Sequence, residues 1–275
     1  MSTRFYKMTG SGNDFVFVDG RETTLAEWPA ERIAAACDRR FGVGGDGLVL
    51  LEPEGDGTVR MHYFNADGGR AALCGNASLC STRLAARLDM APAESMRVHT
   101  DAGVLRTRCV GPGHMAEIRL PSFRAPTRVA LERSLGEPGP AWFGDAIGVP
   151  HLIVQVQNLA EVDVPVWGRA LRFAPQFGPA GTNVNFVGMV SDRGEADWAI
   201  RTYERGVEGE TLACASGTIS AAFALAAHGQ AELPLRFRAG SGAILSVSGL
   251  VRDGLAEEVL LCGEGRLVFT GETPD

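Results

Sequence analysis

The chain has 275 residues, enough for two packed units, and its 45% hydrophobic and 21% charged residues are those of an ordinary globular protein. A net charge of −7 has the wrong sign for a general nucleic-acid binder. The opening MSTRFYKMTGSGNDF carries no apolar signal core and no uninterrupted apolar run is long enough to cross a bilayer, so a cytoplasmic protein without membrane attachment is expected.

In chain order, an apparent first strand carries Lys7, the only lysine, and strand character recurs at Phe15 to Val18, Leu48 to Leu51 and VRMHYF (Val59 to Phe64). A glycine-containing loop then runs through Cys74 into a helix. There Ala77, Cys80, Ser81, Leu84 and Leu88 fall at i, i+3, i+4, i+7 and i+11, which predicts one packed face with Cys80 in it. Met115 to Leu120 reads as a strand, and the proline- and charge-rich stretch 121–142 marks a crossing between domains near its start.

Further strands are predicted at Leu152 to Val156, Asn185 to Val190, WAIRTY (Trp198 to Tyr203) and Val259 to Leu261. Between the last two, ETLACASGTISAAFALAA turns from loop to helix at Cys214. No charge occurs from Leu212 to Ala227, so this helix belongs inside its domain, with His228 and Gly229 as its stop.

The chain repeats itself. Shifting it by 140 positions lays Tyr63 on Tyr203, Gly69 on Gly209, Cys74 on Cys214, Ser78 on Thr218 and Leu79 on Ile219. Both copies run from a strand through a loop and a cysteine into a helix, so two α/β units of similar design, facing each other, are expected.

The six cysteines, Cys37, Cys74, Cys80, Cys109, Cys214 and Cys262, include no C-x-x-C pair, which argues against a disulfide framework and a structural zinc site. Cys74 and Cys214 differ from the rest in standing at helix starts, where unpaired N–H groups and the helix dipole favour an anion or a thiolate. Such an end is worth up to about 2 kcal/mol and would lower a thiol pKa by about one unit. Two such thiols in one cleft could act as base and acid on opposite faces of a carbon, inverting it, while the helix ends hold the attached carboxylate. Pyridoxal phosphate chemistry needs a Schiff-base lysine. Lys7 is poorly placed for that, so a reaction without cofactor or metal is expected.

At these residues the chain resembles the diaminopimelate epimerase family, through KMTGSGNDFVFVD (7–19), RRFGVGGDGLVLLE (39–52), FNADGGRAALCGN (64–76), GVPH (148–151), TNVNF (182–186) and YERGVEGETLACASG (203–217). The resemblance implies interconversion of L,L- and meso-diaminopimelate, a step towards lysine and peptidoglycan, with Cys74 and Cys214 as the acid–base pair. It implies that Gly75, Asn76, Ala215 and Ser216 hold the reacting carboxylate. Asn13 and Glu204 would contact substrate near the reacting centre; Asn65, Asn183 and Arg205 would grip its distal amino-acid group, and His151 would support Glu204 or a cysteine. The implied fold is α/β (α+β type), with two pseudo-symmetric domains, each a curved mixed or antiparallel sheet around a central helix, and an active-site cleft between them. The expected halves are residues 1–121, completed by a strand at about 260–275, and residues 122–259. A homodimer is implied.

Several positions depart from the family's commonest pattern: Ala215 and Ala77 stand for glycine, Leu79 for arginine, Gly69 for serine, Gly47 for a glutamine of some members, and Val149 for asparagine. They bear on substrate identity more than on reaction type. A racemase or epimerase of another amino acid on the same scaffold is the second reading, and a thiol redox or binding protein using Cys74 and Cys214 the third.

Overall fold

The computed structural model describes residues 2–131, 139–190 and 194–273, so part of the 121–142 crossing, residues 132–138, lies outside the described residues. The chain divides into two compact units, Met1–Arg119 with Cys262–Asp275, and Leu120–Leu261.

The first unit is built from β1 (Thr3–Gly10), β2 (Asn13–Asp19), α1 (Ala30–Cys37), β3 (Gly47–Gly55), β4 (Thr58–Asn65), α2 (Gly75–Arg87), β5 (Met96–Thr100), β6 (Gly103–Val110) and β7 (Met115–Arg119). The second unit contains β8 (Phe123–Arg124), β9 (Thr127–Val129), β10 (Ala141–Ala146), β11 (Val149–Gln155), α3 (Val164–Arg172), β12 (Asn183–Met189) and β13 (Trp198–Glu204). It continues with β14 (Gly209–Thr211), α4 (Ala215–Ala227), β15 (Leu235–Arg238), β16 (Ile244–Arg252) and β17 (Leu255–Glu264), along which the chain passes back to the first unit. There β18 (Arg266–Thr273) pairs antiparallel with β1.

The same ladder is written twice. In the first unit β1–β2 is antiparallel, β2–β3 parallel, β3–β4 antiparallel, β4–β5 parallel and β5–β6 antiparallel. In the second, β10–β11, β11–β12, β12–β13, β13–β15 and β15–β16 repeat that alternation step for step. Each parallel step needs a crossover, and helices occupy equivalent crossovers: α1 and α3 after the second strand, α2 and α4 before the second parallel step.

Helices cover both faces of the central strands, which is why β2 reads as the unbroken apolar run FVFV. Val16 and Val18 pack with Ile33 of α1, Leu48 and Leu50. In the second unit Leu152 and Val154 pack likewise with Val164 and Leu171 of α3, Val184 and Phe186. The α2 helix touches every strand of its sheet from β1 to β7 and also β18, so the sheet wraps around it. The α4 helix packs on β10, β11, β12 and β16.

Burial around α2 is wider than the single face expected from spacing. Every residue from Asn76 to Thr82 is buried, while Leu88, at the end of the expected stripe, is only half-buried. Hydroxyls make this possible: Ser78, Ser81 and Thr82 each donate to the carbonyl four residues back, at 2.8–2.9 Å. Helix α4 is buried almost all round, and it stops where expected, at His228, followed by Gly229 at φ +68°.

Candidate active site

Each of the two distinctive thiols is the residue immediately before a buried helix. Cys74 is the N-cap of α2 at φ −137°, ψ 119°, and Cys214 the N-cap of α4 at φ −128°, ψ 107°. Gly75 and Asn76, and Ala215 and Ser216, are therefore the first two residues of their helices, where N–H groups lack intrahelical partners. Ala77 and Ala215 lie in regular helix, so the methyl group that replaces the family's usual hydrogen is tolerated at both. Leu79 is wholly buried in the core.

In the first unit, Asn13 opens β2 after a two-residue turn, Ser11 at φ +54° and Gly12 at φ +111°, joining Gly10 to Asn13. Its Oδ1 accepts from Asn76 Nδ2, and its Nδ2 donates to Asp46 Oδ2 at 3.0 Å. Asp46 also accepts from the Asp14 N–H and from Arg39, and Arg39 and Lys7 grip the Asp14 carboxylate at 2.7 Å. Burial works against ionisation of Asp14, but Arg39 and Lys7 outweigh it and hold its carboxyl down to about 2. Lys7 also donates to the Gly44 carbonyl, so the single lysine is a buried structural cation. Asn65, the exposed last residue of β4, lies opposite Gly47 and begins the loop that leads to Cys74.

In the second unit, the Cys214 sulfur accepts from the Gly217 N–H at 3.4 Å and lies 3.6 Å from the Ser216 hydroxyl. Glu204, whose carboxylate also accepts from Thr211 at 2.6 Å, acts on the thiol from β13. The expectation of a lowered Cys214 pKa is corrected here: burial pushes the thiol well up, Glu204 pushes it further, and Ser216 and Gly217 only partly oppose them. Asn183 accepts from the Arg205 N–H at 2.7 Å, which draws the first residue of β12 to the loop after β13.

His151 is also corrected. It bonds neither Glu204 nor a cysteine: its Nδ1 accepts from Asn185 Nδ2 at 3.1 Å, the ring is fully buried, and Nε2 has no partner among the described residues. Burial, aided by the Arg205 charge, lowers its pKa to about 3.

The structure thus brings together Asn13, Asn76 and the Cys74 cap in one unit, and Asn183, Glu204, Arg205 and the Cys214 cap in the other. Sequence reasoning missed the carboxylate behind Asn13, Asp46, although it lies inside the quoted RRFGVGGDG. It also missed Asn185 and Thr202, which alternation alone does not separate from core strand residues. Among the described residues no cluster of three or more histidine, cysteine, aspartate or glutamate side chains is arranged to hold a metal, and no helix is long and apolar enough to cross a membrane.

The doubled ladder with a helix in each half is a fold shared with solved structures. The chain superimposes on a phenazine biosynthesis protein of the PhzF family from Bacillus anthracis with a TM-score of 0.76 at 14% identity, covering 100% of both chains. A hydroxyproline epimerase from Agrobacterium vitis matches with a TM-score of 0.67 at 18% identity, over 99% of this chain and 92% of that one. At sequence level the diaminopimelate epimerase family model matches residues 5–120 and 144–249. Proteins named diaminopimelate epimerase from Gemmatimonas aurantiaca and Aquifex aeolicus are 42% and 37% identical, covering 98% and 97% of this chain and 98% and 96% of their own lengths. The chain belongs to the diaminopimelate epimerase family.

Proposed function

We propose that this protein is an isomerase that interconverts L,L- and meso-diaminopimelate without a cofactor, with Cys74 and Cys214 as the acid–base pair. The observation that carries the reading is the equivalence of the two thiols: each caps the buried helix at the same step of the repeated ladder, in a chain of this family. In one direction a thiolate takes the α-proton, breaking the Cα–H bond and forming S–H, while the opposing thiol gives its proton to the other face of the carbon. The return reaction exchanges the roles. Burial and Glu204 keep Cys214 protonated in the resting molecule, ready as the acid.

Gly75, Asn76, Ala215 and Ser216 offer helix-end N–H groups to the α-carboxylate, where charge builds as the proton leaves. Asn13 and Glu204 contact the substrate near that carbon. Asn65, Asn183 and Arg205 recognise the distal amino-acid group, the guanidinium matching its carboxylate. Arg205 is suited to this because its side chain forms no ion pair among the described residues. We place the protein in the cytoplasm, as a homodimer, in lysine and peptidoglycan precursor synthesis.

The test is reduced protein with L,L-diaminopimelate in heavy water. α-Deuterium together with meso product supports the reading. Exchange only with another amino acid would move the substrate, and silence on every amino acid would favour a redox or binding use of the thiols.

A further inference from the structure

Behind Cys214 lies a chain of buried polar groups that has no counterpart in the first unit. Aligning the two ladders on Tyr63 and Tyr203 places Val16, Leu50 and His62 opposite His151, Asn185 and Thr202. Two of the first three are core hydrophobes, and His62 bonds to Glu52 and Arg70 instead. In the second unit the Thr202 hydroxyl donates to Asn185 Oδ1 at 3.0 Å. Asn185 Nδ2 donates to the Leu152 carbonyl at 3.0 Å and faces His151 Nδ1 at 3.1 Å.

These bonds leave the amide one orientation. A backbone carbonyl can only accept, so the group facing Leu152 is the NH2, and its second hydrogen points to His151 Nδ1. Nδ1 must then be a bare lone pair, and the single proton of the neutral ring sits on Nε2. That N–H is fully buried and has no partner among the described residues, the condition of a donor held for an acceptor that arrives with a ligand. The charge acting on the ring is the Arg205 guanidinium, which suits a carboxylate oxygen as that acceptor.

Asn185 also fixes the thiol's own turn. A Cβ on Gly217 would stand 2.1 Å from Asn185 Oδ1 and 3.2 Å from Cys214 Sγ, so the amide packs directly beneath the residue whose N–H reaches the sulfur.

We propose that Asn185, oriented by the Leu152 carbonyl and satisfied at its oxygen by Thr202, is a positioning residue that locks His151 in the Nε2–H tautomer, making it a fixed hydrogen-bond donor and not a proton acceptor in this half of the site. The kinetic part rests on the epimerase reading; the tautomer does not.

The experiment is nitrogen NMR of histidine-labelled protein, wild type and the Thr202→Val and Asn185→Asp variants, with kcat and KM measured on L,L-diaminopimelate. Thr202→Val keeps the shape and removes the hydroxyl that donates to Asn185 Oδ1, while the Leu152 carbonyl still sets the amide orientation. Asn185→Asp replaces the donor by an acceptor. The wild type is expected to show His151 with Nδ1 bare and Nε2 protonated. Thr202→Val is expected to keep that tautomer, because the Leu152 carbonyl still faces the amide NH2. Asn185→Asp, where it folds, is expected to show Nδ1–H alone and to lower kcat about tenfold with KM within about twofold.

A wild-type ring protonated on Nδ1, an Nδ1–H form in Thr202→Val, or an unchanged tautomer in Asn185→Asp overturns the lock. A changed tautomer with unchanged kcat overturns its kinetic role. No turnover by wild type would sink the epimerase reading and the kinetic role with it, leaving the tautomer to be decided by the spectrum.

Discussion

Gly217 gives its backbone N–H to the sulfur of Cys214 at 3.4 Å, and there is no room at its α-carbon for anything larger than hydrogen. The added methyl of Gly217→Ala would meet Asn185 Oδ1 at 2.1 Å, so the first turn of α4 must shift and carry the thiol with it. Turnover is expected to fall at least about 100-fold, and stability by about 1–3 kcal/mol. Kinetics alongside urea unfolding would check both; an active, equally stable variant would contradict the packing described.

Cys74→Ala and Cys214→Ala are each expected to abolish epimerisation, because inversion needs a group on both faces of the carbon. Substantial turnover by both single variants would sink the acid–base pair.

Glu204→Gln removes a charge that holds the Cys214 proton in place. The thiolate is therefore expected to form at lower pH in this variant than in wild type, followed by its ultraviolet absorbance in protein lacking the other reactive thiols. An unmoved or higher titration would show that Glu204 does not act on the thiol.

Stability should fall towards acid. His151 has a folded pKa of about 3 against an ordinary 6.5, so between those values the unfolded chain binds a proton that the folded chain does not. The contribution is complete above about pH 6.5 and is lost as pH falls, at up to about 1.4 kcal/mol per pH unit. Asp14, with its carboxyl at about 2 against an ordinary 3.8, adds a second loss at still lower pH. Urea midpoints between pH 7 and pH 4 measure the slope, and His151→Gln is expected to flatten it.

How far these features could be read in the sequence differs from element to element. The 140-residue offset made the doubled design visible, because helices α2 and α4 with their capping cysteines carry a repeat of small residues that is rigidly spaced. The ladder around them was only partly visible: FVFV and LVLL are unmistakable runs, whereas short strands such as β14 and β9 have three residues and no pattern. The helix-end effect on Cys214 was read correctly in kind and overturned in sum, since burial and the carboxylate of Glu204 belong to tertiary structure. Gly47 shows the same limit. It reads as a missing glutamine, yet a Cβ there would lie 2.4 Å from the Phe64 carbonyl and 2.8 Å from the Tyr63 ring.

Ile147 and Gly148 form the two-residue turn between β10 and β11, both at positive φ (59° and 78°). A β-branched residue there is strained, and asparagine is the preferred occupant. Ile147→Asn is expected to stabilise the protein by about 1 kcal/mol, read as a raised urea midpoint. A lowered midpoint would mean that the half-buried isoleucine packs better than its backbone costs.

The ion pair of Lys7 with Asp14 has a practical side. With its one lysine side chain buried and held by a carboxylate and a carbonyl, the folded protein offers amine-directed crosslinkers, dyes and surface-coupling reagents no lysine to modify. Modification of Lys7 by such a reagent would therefore report that the strands around it have opened, which makes the lysine an intrinsic probe of the integrity of the first unit.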